Sequence, residues 1–133
     1  VRSGIGTVVL DARRGICPPA AVHYTFGALV TTDAMIENEP ETAQAAIRAI
    51  VNVQKALKED PSRATAVGEK LFPPDEAGMI AGLIERDLPF YDPGISQEAI
   101  SGMNRFAKDI GVLTEDVTYD QVVASQFSGL WTE

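Results

Sequence analysis

The chain has 133 residues, and its nineteen acids against eleven bases leave a formal charge of −8. With 45% hydrophobic and 23% charged residues it is a globular composition, too apolar for a disordered chain. The acidic balance argues against a nucleic-acid partner, which would need clustered bases to displace counterions. No apolar stretch approaches the roughly 20 residues of a membrane helix. The single cysteine, Cys17, excludes an internal disulfide and any clustered-thiolate zinc or iron–sulfur site.

In chain order, Val1-Arg2-Ser3-Gly4, with the first methionine at Met35, reads as an internal start of something larger. Thr7-Val8-Val9-Leu10 is a compact β-branched run and predicts a buried strand. Gly15 and Pro18-Pro19 make 11–19 a loop. Val22 to Thr32, rich in aromatic and β-branched residues, predicts a second strand, with Gly27 as a bend.

From there the pattern is helical. Thr32 or Asp33 caps a short helix through Met35 and Ile36. Pro40 suits the first position of a long helix whose stripe is Ala43, Ala46, Ile47, Ile50, Val51 and Leu57. Asp60-Pro61 restarts a helix with Ala64, Val67 and Leu71 inward. Pro73-Pro74 stops it, and Asp75-Glu76 open the next, carrying Ala77, Ile80, Leu83 and Ile84. After the Asp92-Pro93-Gly94 turn, Ser96 caps a helix with Ile100, Met103, Phe106, Ala107 and Ile110, which Gly111 ends. Thr118-x-x-Gln121 is a capping box for a last short helix. The restarts fall at unequal intervals, so no repeat array is indicated.

Covalent chemistry finds little footing. His23 is the only histidine, no G-x-S-x-G elbow exists, and nothing specifies a group to orient a Cys17–His23 pair. Hence both read as packing residues. The acids at Glu37, Glu39 and Glu41 and at Glu115-Asp116 lack calcium-loop spacing and read as solvated. Gly4-x-Gly6 opens no helix and fails as a phosphate loop. Two clusters fit ligand contact better. Arg13-Arg14 follows a predicted strand and presents guanidinium groups that can grip a carboxylate, sulfonate or phosphate, although ion pairing with nearby acids is the plainer use. His23-Tyr24-Thr25-Phe26 offers aromatic walls and polar groups, against ordinary strand packing.

The runs Val9-Leu10-Asp11-x-Arg13-Arg14-Gly15 and Tyr24-Thr25-Phe26-x-Ala28-Leu29-Val30-Thr31-Thr32-Asp33 resemble the solute-binding proteins of bacterial ABC transporters. The similarity is to the branch with nitrate-, sulfonate-, taurine- and pyrimidine-binding members. Glu39-Pro40-Glu41, Lys58-Glu59-Asp60-Pro61, Ile95-Ser96-x-Glu98, Gly111-Val112-Leu113 and Tyr119-Asp120-x-Val122-Val123 follow in the family's order. The resemblance spans Val8 to Phe127 and rests on order and spacing.

It implies an α/β chain, mostly helical with two short strands, forming the carboxyl-terminal portion of a type II periplasmic-binding-protein-like fold. Residues 1–21 would be the tail of the second lobe and the crossover loop. Residues 22–133 would be the return crossover strand and the helical end of the first lobe. The implied function is capture of a small solute outside the inner membrane for delivery to an ABC permease, with no covalent chemistry, no cofactor and no metal. Tyr24, Thr25 and Arg13 are the candidate ligand contacts. A missing amino-terminal segment or a second copy of the chain would cover apolar faces otherwise left open. The resemblance also reaches pyrimidine-precursor synthases, enzymes that use lysine-bound pyridoxal, histidine and iron, but their cysteine-rich motif is absent here. A helical protein-interaction module is the third reading.

Overall fold

The structure is a computed structural model and describes residues 4–24 and 27–132. It contains α1 (Asp33–Asn38), α2 (Pro40–Glu59), α3 (Ser62–Leu71), α4 (Pro74–Asp87), α5 (Gln97–Asp109) and α6 (Tyr119–Val122), with 3-10 turns at Ala12–Arg14, Pro19–Ala21, Leu88–Phe90 and Ser125–Leu130. Helix accounts for 64% of the structure and there is no strand among the described residues. The expectation of an α/β chain with two short strands is therefore overturned: the chain is all-α. Residues 6–10 and 27–32 run free of helix, turn and ladder. A strand exists only through hydrogen bonds to a neighbour, and neither run has one. Val22 ends the Pro19–Ala21 turn instead of starting a strand. The one ladder contact described is an isolated antiparallel bridge between Asp11 and Ile16, which closes a tight loop around the Ala12–Arg14 turn.

The helix boundaries follow local chemistry. Thr32 accepts the Met35 N–H at 3.2 Å and starts α1. Pro40 is the first residue of α2 and Pro74 that of α4, where a missing N–H costs nothing. Ser96 caps α5 by accepting the Ala99 N–H at 3.1 Å. Gly111, at φ 77, ends α5 in the left-handed region, and Val112 N–H reaches back to the Ala107 carbonyl at 2.8 Å. At the start of α6, the Thr118 N–H donates to Gln121 Oε1 at 2.8 Å.

Before α3, the Asp60 carboxylate accepts from both the Ser62 hydroxyl and the Ser62 N–H, the latter at 3.0 Å. These two bonds, with help from the Arg63 charge, hold its pKa below the ordinary aspartate value. The depressed value means the stabilisation is complete above the ordinary value and is lost as pH falls through the folded one. Melting temperatures of the wild-type chain and Asp60→Asn, compared from neutrality down through about pH 4 and below, should therefore converge at the acid end. A gap independent of pH would remove the carboxylate from the account.

By internal contacts the chain divides into two units, Val1–Ala28 with Ile95–Ser125, and Leu29–Gly94 with Gln126–Glu133. In the first, α5 is the spine. Its buried residues are Ala99 and Asn104, joined by Val123 beyond α6. In the second, α1–α4 pack in sequence, with α3 and α4 in closest register. Its interior consists of Ala43, Val51, Gly68, Ala77 and Phe127. Gly68 lies at the α3–α4 contact, where a methyl would stand in ordinary contact 3.6 Å from the Ala77 Cβ.

Both interiors are thin. The accessible surface is 9797 Å². A compact monomer of 14.3 kDa exposes about 6,800 Å², and two separate compact bodies of half that mass about 8,200 Å² together. The excess therefore belongs to the units themselves. Val9 is 79% exposed and Val30 83%, and Ile50, Val53, Leu71 and Met79 are also open. On α2 the residues Glu41, Gln44, Arg48, Asn52, Lys55 and Glu59 recur at helical spacing and form one narrow polar stripe. Most of the remaining circumference is apolar, the pattern of a helix buried on more than one side. Only the side with Ala43, Ile47 and Val51 is covered, and Ala49, Ile50 and Val53 face outward. Gln54 is the polar intruder on the covered side, its Oε1 buried without a hydrogen-bond partner.

Candidate functional site

Tyr24 is placed by the end of the Pro19–Ala21 turn, where its N–H donates to the Ala21 carbonyl at 3.3 Å. Its half-buried ring lies against Phe106 of α5, with centroids 5.4 Å apart and planes tilted by 54°. Gly102, one turn earlier on α5, lies beneath this segment: a Cβ there would stand in ordinary contact with Tyr24 Cδ1 at 3.5 Å and His23 Cβ at 3.6 Å. Tilted aromatic pairs of this kind add about 0.5–1.5 kcal/mol beyond the area they bury. Tyr24 is thus anchored to the helix, and His23 beside it is exposed.

Arg13 lies in the middle of the Ala12–Arg14 turn, whose last bond runs from the Gly15 N–H to the Ala12 carbonyl at 3.1 Å. Its neighbour Arg14 is engaged locally, Nη1 lying 3.2 Å from the Asp11 carboxylate. For Arg14, ion pairing with a nearby acid is thus what the structure displays. Thr25 lies outside the described residues. Tyr24 and Arg13 both belong to the first unit. Cys17 is half-buried with a free thiol. No group of three or more His, Cys, Asp or Glu side chains is arranged to hold a metal ion among the described residues.

A groove of about 590 Å³ runs along another side of α5 and includes neither Tyr24 nor Arg13. Gln97, Ser101, Asn104, Arg105 and Lys108 form one wall and residues 116–120 the other. Its walls are pinned in three places. Asn104 donates to the Val117 carbonyl at 2.8 Å and accepts the Val117 N–H at 3.1 Å, so a side-chain amide pairs with the backbone as a strand would. Lys108 Nζ lies 2.7 Å from Asp116. Tyr119 donates its hydroxyl to the Ile95 carbonyl at 2.7 Å. Reading the sequence missed Asn104, which sits at the margin of the apolar arc of α5. A polar residue at that margin, ahead of a loop with unpaired backbone, was the available signal.

Against family models, curated proteins and solved structures, the chain finds no match. No helix among the described residues is long and apolar enough to cross a membrane.

Proposed function

We propose that this chain is the helical carboxyl-terminal part of an extracytoplasmic solute-binding protein, which captures a small molecule and hands it to an ABC permease without covalent chemistry. The uncovered apolar surface carries the reading. Val8, Val9, Leu10, Leu29 and Val30 on irregular runs, and Ile50 and Val53 on α2, are exposed. Surface of this extent is costly in water and belongs against another body. A missing amino-terminal segment, or a second copy, would supply it. The choice of family rests on the resemblance read in the sequence from Val8 to Phe127. Tyr24, Thr25 and Arg13 are the proposed solute contacts. Of these, Tyr24 is the one whose ring is described, half-buried against Phe106 of α5. The same exposed surface favours a second reading, a helical module whose work is to bind another protein.

A thermal-shift screen of the protein that contains this chain separates the readings. Nitrate, sulfonates, taurine, aromatic carboxylates and pyrimidines form the panel. Solute capture requires a melting temperature that rises with the logarithm of one ligand's concentration. A flat response across the panel, with pyridoxal absorbance and bound iron in the protein, would replace capture by the enzyme reading. A flat response without cofactor, with a stable complex to a protein partner, would favour the interaction module.

A further inference from the structure

We draw no further inference here: the strongest candidate, the open apolar side of α2 formed by Ala49, Ile50 and Val53, carries nothing because nothing in the structure shows what covers it.

Discussion

Asn104→Ala should lower the stability of the first unit by about 3 kcal/mol. Asn104 is 8% exposed, and its side chain makes two hydrogen bonds to a single residue, Val117. Alanine removes both and leaves the Val117 N–H and carbonyl half-buried without partners, a loss that includes desolvation as well as the bonds themselves. Past the backbone bonds from Val112 and Leu113 to the Ala107 carbonyl, the side-chain ties left here among the described residues would be the exposed Lys108–Asp116 pair and the Tyr119–Ile95 bond, and an exposed ion pair contributes under about 1 kcal/mol. Urea unfolding measures the total, and amide exchange at Val117 localises it. Asn104→Asp makes the account sharper: a carboxylate still accepts from the Val117 N–H but sets a charged oxygen against the Val117 carbonyl in a buried place, so it should not recover the loss seen in alanine. Unchanged exchange at Val117 in Asn104→Ala would show that the loop is held by something else.

Ala77→Leu is expected to cost a similar amount, about 3 kcal/mol, through overpacking. Ala77 is 2% exposed, and what it meets across the α3–α4 contact is Gly68, a residue with no side chain to move aside. Extra carbons at 77 must therefore displace helix backbone, which interiors resist because they are already close-packed. Gly68→Ala is the matching control. Its methyl would reach only ordinary contact at 3.6 Å, while alanine improves helix propensity by up to about 1 kcal/mol. The pair should split in sign, Ala77→Leu lowering the denaturation midpoint and Gly68→Ala holding or raising it. If both variants melt like wild type, the two helices do not approach as described.

Much of this fold was legible because it is written in local chemistry. Pro40 opens a helix, Pro73-Pro74 end another, Ser96 caps one, Gly111 closes it, and Thr118 with Gln121 starts the next. Each of these needs only residues within a turn of itself. The strands were misread for the converse reason. Val8-Val9-Leu10 and Val30-Thr31-Thr32 have β composition, but a ladder requires a second chain segment at the right distance, and composition cannot supply one. The candidate site was legible only in part. Tyr24 was singled out by residue type, yet its ring rests against Phe106, far along the chain, and no spacing rule connects them. Asn104 went unread because its partner is a peptide group, which any sequence provides everywhere.

The clamp between Asn104 and Val117 also bears on the order of folding. Helix α5, its glycine-terminated end and the loop behind it are joined by bonds across modest separations, Val112 to Ala107 over five residues and Val117 to Asn104 over thirteen. Short loops close quickly and at small entropic cost, so contacts of this kind form well before distant ones. The stretch from Ser96 to Val117 can thus organise as one early unit during synthesis, a ready-made surface on which the Tyr24 segment, made earlier and waiting, comes to rest.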